Sequence, residues 1–338
     1  MQGCKVTREG AAMLVGIDLG GTAIKAGLVD RDGRILLQSS IATNAGRDYR
    51  LIIEDMQKQV EKLIKDKGIS IDDIESIGIG APGLMNDRSG YVIYCTNLFW
   101  ENVPLGIMLR EHFNKPVYVE NDANAAALAE SLFGSTKGAG NSVLITIGTG
   151  IGSGIIIDHK IYSGSHYAGA EMGHMIVGPN FYRCNCGNTG CLETFASATA
   201  MVKYAVHRLE TDKIKSSILD KAEGDTENIN ARIIFDAAKE GDQLGIETVD
   251  RMIKYLSIGI INVFNILDPE IIVIGGGVSK AGDYLLDKLK EEVGKMLFTS
   301  GIKYGDIVLA QLGNEAGLLG AAFIGVNLKS YVGEYQIQ

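Results

Sequence analysis

The stretch MLVGIDLGGTAIKAGLVD, residues 13–30, decides the fold. Its apolar runs 14–18 and 23–30 read as strands, with Gly20, Gly21 and Thr22 turning the chain between them. Because a strand rather than a helix follows the glycines, neither a Walker loop nor a dinucleotide fingerprint fits. A third strand is expected over 34–43, after the hairpin signal Asp32-Gly33. The pattern returns in SVLITIGTGIGSGIIID, residues 142–158, where strands at 142–147 and 155–158 flank a Gly/Thr turn. A strand, a glycine turn and a second strand therefore occur twice, at 16–29 and 143–157, which is self-similarity at the scale of a domain.

Outward from these hairpins, apolar spacing predicts helices over 49–67, 105–113, 122–133, 197–209, 229–240, 244–267, 281–297 and 316–326. Further strands are expected at 76–80, 116–120 and 271–274, with a loop-rich stretch before the helix at 105. Strands and helices alternate in both halves, so the expected class is α/β with two similar lobes and a cleft between them. The expected division is a leader, 1–12, a small lobe, 13–120 plus 316–338, and a large lobe, 121–315, that carries the cysteine cluster.

Composition agrees. With 338 residues, 46% hydrophobic and 22% charged, the chain is globular and sits near a two-domain length. No apolar run reaches the ~18 residues of a membrane helix, and the first residues lack a secretory pattern, so the cytoplasm is the expected location. A net charge of −9 with no visible basic patch argues against a nucleic-acid partner. Glycine is in excess at 43 residues, which implies many turns or close backbone approaches.

Three groups of residues carry chemistry. The glycine turns allow backbone amides to reach phosphate oxygens, a hydroxyl adds a donor, and an acid at a strand end such as Asp18 can hold Mg²⁺. A plain tight hairpin would read the same way at either site alone. A third turn, Gly275-Gly276-Gly277, lies where a base or ribose could rest, although a simple strand-to-helix turn would also explain it. His174 with Cys184, Cys186 and Cys191 is a Cys₃His set suited to tetrahedral, structural zinc, because it leaves no open position. A disulfide across Cys-x-Cys would close a strained ring. Cys4 and Cys95 stand apart and are expected to be dispensable.

The stretch ENDANA, residues 120–125, joins a strand to an Ala-rich helix, so capping alone could explain one of Asn121 and Asp122. At the carboxyl end of a strand they are equally placed to bind substrate, and the helix dipole favours an ionised Asp122, as a general base requires. Glu171 precedes His174 by one turn, and Glu193 follows Cys191 closely. Asn97 lies beside the only tryptophan, Trp100, and Gly83 closes a turn at a strand end. Many Asn, Asp, Glu and His groups with few cations suit a neutral polyol.

Taken together, the segments 18–25, 97–104, 120–125, 147–154, 171–174, 184–193 and 274–279 resemble the bacterial ROK family of sugar kinases (repressors, open reading frames and kinases). The glucokinase group is the most similar, and the resemblance covers residues 14 to 326. It implies an actin-like, ribonuclease-H-like fold whose lobes close on the sugar, usually in a homodimer. It also implies an ATP-dependent kinase acting on the 6-hydroxyl of glucose, with Asp122 as the base. Gly83, Asn97, Asn121, Glu171, His174 and Glu193 would hold the other hydroxyls. Asp18, Gly20, Gly21, Thr22, Lys25, Thr149 and Gly150 would lie along the phosphates of Mg²⁺-ATP, with Gly276 near the adenosine. Ala170 departs from the glycine usual in the family. Family repressors carry a helix-turn-helix before the first hairpin, and the 17 residues that precede Asp18 are too few for one. A kinase for fructose, mannose or an N-acetylhexosamine, and a sugar-sensing regulator without transfer, remain open at this point.

Overall fold

The computed structural model describes residues 12–299 and 301–335, so apart from Ala12 the expected leader, with Cys4, lies outside the described residues. In chain order the first elements are β1 (Met13–Leu19), β2 (Ala23–Val29), β3 (Ile35–Ala42) and α1 (Tyr49–Lys67). Next come β4 (Ile74–Ala81), β5 (Leu84–Asn86), β6 (Tyr91–Cys95), β7 (Trp100–Val103), α2 (Leu105–Phe113), β8 (Val117–Asn121) and α3 (Asp122–Phe133). The second half holds β9 (Ser142–Ile147), β10 (Ile151–Ile157), β11 (Lys160–Ile161), α4 (Glu193–Ala196), α5 (Ala198–Thr211) and α6 (Ser217–Lys221). It continues through α7 (Ala231–Lys239), α8 (Gln243–Leu267), β12 (Ile271–Gly275), α9 (Asp283–Met296) and β13 (Asp306–Leu309) to α10 (Ala316–Tyr335).

The chain folds as two units, one running to Ala129 and resuming at Glu315, the other spanning Glu130–Asn314. The division falls inside α3 rather than before Asn121. The first turns of α3 pack in the first unit, where a Cβ at Gly320 of α10 would overlap the Ala125 carbonyl.

Each unit has a five-stranded sheet, ordered β3-β2-β1-β4-β8 in the first and β11-β10-β9-β12-β13 in the second. In both, the first three strands of the unit are antiparallel and the last two run parallel to its first strand. The repeat seen in sequence is therefore a repeat of topology, and the chain has the duplicated, two-lobed α/β architecture of the actin-like fold.

Helix placement follows side-chain size. On the first sheet, a Cβ at Gly78 of β4 would overlap the Ala321 carbonyl, and one at Gly16 of β1 the Leu318 carbonyl. Only glycine lets α10 lie that close, so these two glycines serve helix-on-sheet packing rather than a turn. In the other unit the buried face of α8, including Met252, Leu256 and Ile260, fills the core beneath β9 and β12.

Three differences from the sequence reading affect the site. The loop-rich stretch before α2 contains a separate three-stranded sheet, β5-β6-β7, whose strands are too short to announce themselves. Gly152, Ser153 and Gly154 belong to strand β10 rather than to the glycine turn, which narrows to 148–150. Helix α7 starts later than expected because the Asn230 side chain caps it, accepting from the Ile233 N–H at 3.1 Å.

Candidate functional site

The expected residues fall into two clusters, one in each unit. In the first unit, β1 ends at Asp18 and pairs it across the hairpin with Lys25, placing the ammonium 3.6 Å from the carboxylate. Burial pushes the Asp18 carboxyl above its ordinary range, and the Lys25 charge works against that shift. The turn is closed by Gly20 N–H donating to the Ala23 carbonyl at 2.9 Å. Thr43, just past β3, fastens it from the side by donating from Oγ1 to the Gly20 carbonyl at 2.6 Å. Gly21 and Thr22 are left at its accessible tip. Asn97, on the β6–β7 turn, lies beside it, since a Cβ at Gly21 would stand 3.7 Å from Asn97 Cβ.

The ends of the parallel strands β4 and β8 bring the next group together, with Ala81 and Asn121 paired across them. Asn121 Nδ2 donates to the Gly83 carbonyl at 3.1 Å, and Asn121 Oδ1 accepts from the N–H groups of Ala123 and Asn124 at 2.9 and 3.2 Å. Asn121 is thus the cap of α3. Asp122 follows it in the first turn, with Oδ1 accepting from the Ala123 N–H at 2.8 Å. Beneath them lies a residue to which the sequence reading gave no role. Glu120, 4% exposed, accepts from the Asn121 N–H at 2.8 Å and from Asn124 Nδ2 at 3.0 Å, fixing the helix start from below. A carboxylate at a strand end before Asn-Asp was its only sequence signal.

In the second unit, His174 Nδ1 and Cys184 Sγ lie 3.8 Å apart, Cys186 Sγ and Cys191 Sγ 3.6 Å apart, and all four donor atoms fall within 4.8 Å of one another. The sulfur–sulfur edge of a zinc–thiolate tetrahedron, with bonds near 2.3 Å, is about 3.8 Å. These four residues therefore fit one tetrahedral ion. Burial pushes the Cys191 thiol up to about 12, so ionised sulfur there calls for a cation. With Nδ1 on that side, His174 turns Nε2 toward Glu171, 4.0 Å from its Oε2. Burial also holds the Glu171 carboxyl above the ordinary range, with His174 opposing the shift and Glu193 adding to it. Ala170, at φ 63, adopts the left-handed backbone that glycine usually takes.

Gly148–Gly150 turns β9 into β10, with Thr149 exposed at the tip. Glu193 does not stand clear of this turn, because its Oε2 accepts the Ile151 N–H at 3.0 Å. Gly276 lies outward at φ 80, and a Cβ there would overlap the Ile147 backbone, which explains the glycine by packing. A pocket of about 730 Å³ opens beside Thr149, lined also by Tyr182, Thr199, Lys203, His207 and Asn230. Gly276 is not part of its lining. The sequence reading gave none of these five residues a role, because they are scattered over the loop before Cys184, α5 and the residue before α7. Among the described residues no helix is long and apolar enough to cross a membrane.

The sequence signature of the ROK family matches residues 14–327. The glucokinase of Thermotoga maritima is 38% identical over 315 residues, covering 92% of this chain and 96% of that protein. The xylose repressor of Caldicellulosiruptor bescii is 32% identical, covering 91% of this chain and 76% of its own length. The crystal structure of a ROK family glucokinase from Streptomyces griseus in complex with glucose and AMPPNP matches with a TM-score of 0.78 and 34% identity. That match covers 92% of this chain and 98% of the other. Two sheets of one topology, the Cys₃His cluster and a signature spanning nearly the whole length lead to one conclusion: this chain belongs to the ROK family.

Proposed function

We propose that the protein is an ATP-dependent sugar kinase that transfers the γ-phosphoryl group to the 6-hydroxyl of glucose, with Asp122 as general base. One observation carries the reading. Asn121 caps α3, so the capping role does not account for the acid that follows it at the carboxyl end of β8, where Asp122 stands at the head of the helix. The glucokinase relatives, one of them with glucose and AMPPNP bound, support the choice of acceptor and donor.

In this reading Gly83, Asn97 and Asn121 hold sugar hydroxyls from the first unit, and Glu171, His174 and Glu193 from the second. Asp18, Gly20, Gly21, Thr22 and Lys25 line the phosphates together with Thr149 and Gly150, and Gly276 faces the adenosine. The pocket beside Thr149 has the volume of a ligand site. Asp18 would hold Mg²⁺, which supplies charge neutralisation on the phosphates when bound. Zinc at His174, Cys184, Cys186 and Cys191 would fix the loop that carries Glu193. Phosphoryl transfer asks the chain mainly for positioning and for electrostatic stabilisation. Asp122 takes the proton of the attacking hydroxyl, a role worth about 10²–10⁴ in rate.

The decisive variant is Asp122→Asn, assayed for glucose 6-phosphate formation. Asn121 rather than the altered side chain caps α3, so thermal stability should hold. Glucose affinity should move by less than ~1–2 kcal/mol, as for one polar contact. Turnover should fall about 10²-fold or more. Near-normal kcat would sink the mechanism. A sugar-sensing regulator is the second reading, favoured by the xylose-repressor similarity, and wild-type protein that binds glucose without forming any phosphorylated sugar would select it.

A further inference from the structure

The glycine turn of the second unit is held from outside itself, and its holder is the metal loop. The Ile151 N–H donates to Glu193 Oε2 at 3.0 Å, and the Ala198 N–H donates to the Gly148 carbonyl at 2.8 Å. These bonds secure the turn on both sides from one short segment, α4 and the start of α5. A Cβ at Gly150 would overlap the Glu193 carboxylate, so the carboxylate lies flush against the turn. Only Leu192, fully buried, separates Glu193 from Cys191, and Glu193 Oε1 stands 3.7 Å from Cys184 Sγ. The histidine arm of the cluster is fastened to the same hairpin. Ser153 Oγ donates to the Ala170 carbonyl and accepts the Met172 N–H at 3.1 Å, and a Cβ at Gly173 would overlap the Ile151 carbonyl.

We propose that Glu193 is a positioning residue for the phosphate hairpin, tying the backbone at Gly150 and Ile151 to the metal loop so that nucleotide affinity depends on metal loading. The inference rests on the nucleotide role given to this hairpin above. Backbone amides bind phosphate well only when already oriented, and an Ile151 peptide without its acceptor must be ordered at a cost to affinity. A Glu193 that served only sugar hydroxyls would leave nucleotide binding without sugar untouched.

The test is ADP binding by calorimetry in the absence of sugar, with amide hydrogen exchange at Ile151 as the second readout. Wild type, Glu193→Ala, Glu193→Gln and chelator-stripped wild type would be compared. Glu193→Ala should weaken ADP about tenfold, the order expected for one hydrogen bond to a charged acceptor, and Glu193→Gln should recover most of it through its amide oxygen. Stripped wild type should weaken in the same direction, and Ile151 should exchange faster in both weakened forms. Unchanged ADP binding in Glu193→Ala, with only glucose affinity lowered, overturns the proposal. Should wild type bind no ADP, the nucleotide reading fails, while Ile151 exchange still decides whether Glu193 and the metal hold the turn. Should Glu193→Ala not fold, unchanged Ile151 exchange in the stripped protein overturns the proposal by itself.

Discussion

The turns at 19–23 and 147–151 occupy the same position in two sheets of the same order, yet they are built on different resources. The first is closed within its own sheet, by Thr43 at the end of β3, and carries a charged pair, Asp18 and Lys25. The second has no Asp, Glu, Lys or Arg anywhere in β9, its turn or β10. Its carboxylate, Glu193, comes from the start of α4, 42 residues downstream of Ile151 and two after Cys191. A repeated topology therefore fixes where backbone amides gather, while the source of charge and rigidity is settled separately in each copy. The first turn should depend on its own side chains, and the second on what lies beneath it.

The largest expected effect tests the charged copy. Asp18→Asn should lower turnover by about 10²-fold or more, the scale for losing one group that organises transition-state charge. The same variant should raise stability at neutral pH. Because burial lifts the Asp18 carboxyl above its unfolded value, its contribution to stability is fully present below that value and is lost as pH rises through the folded one. At neutral pH a partly buried charge remains, and Asn removes it. Thermal melting beside a coupled kinetic assay would show both shifts. A variant that is slow and also less stable would mean that the pairing of Asp18 with Lys25 outweighs the cost of burying its charge.

A smaller effect concerns Asp242 in the second unit, where an aspartate behaves in the opposite sense. Burial pushes its carboxyl up, but the N–H groups of Gly245 and Ser217 and the hydroxyls of Ser216 and Ser217 outweigh burial and hold it below the ordinary range. It caps α8 and fastens the start of α6, with these bonds at 2.7–3.0 Å. Asp242→Ala should cost about 1–2 kcal/mol at neutral pH, as for a strong helix cap. A depressed carboxyl stabilises above its unfolded value, near 3.8, and loses that contribution as pH falls through the folded value. The gap between variant and wild type should therefore close only in acid below that point. Melting curves from neutral pH into acid would test this, and a gap independent of pH would assign the loss to packing.

What could be read in advance follows from range along the chain. Helices α1, α2 and α3 and strand β9 fall where the apolar pattern placed them, because each carries that pattern locally. The cysteine cluster was legible for the same reason, with three of its four members inside a few residues. The sheet β5-β6-β7 was not, because its strands are three to five residues long and mix polar with apolar positions. Gly152–Gly154 read as turn because glycine marks turns, whereas here Ser153 pairs sideways with the strap at Ala170 and Met172. The bond from Glu193 to Ile151 was not legible either, because nothing local in the sequence records it. Such long-range contacts separate the two hairpins, and the sequence around each turn made them look equivalent.

The smallest effect is the sharpest test of that equivalence. Thr149 is exposed at the tip of the second turn, as Thr22 is in the first, and it offers one neutral hydroxyl. A single neutral hydrogen bond to a phosphate oxygen is worth about 0.5–1.5 kcal/mol, so Thr149→Ala should change nucleotide affinity or turnover by no more than about tenfold. Thr149→Ser restores the hydroxyl and should restore the function. Stability should hardly move, because the bonds that fix this turn are made by the backbone of Gly148 and Ile151 rather than by the threonine. The comparison breaks if Thr149→Ala is as damaging as Asp18→Asn, since the uncharged copy would then carry as much of the transition-state charge as the charged one. It sharpens if Thr149→Ala is mild while Glu193→Ala is not, because the second turn would then act through a backbone that the metal loop holds still.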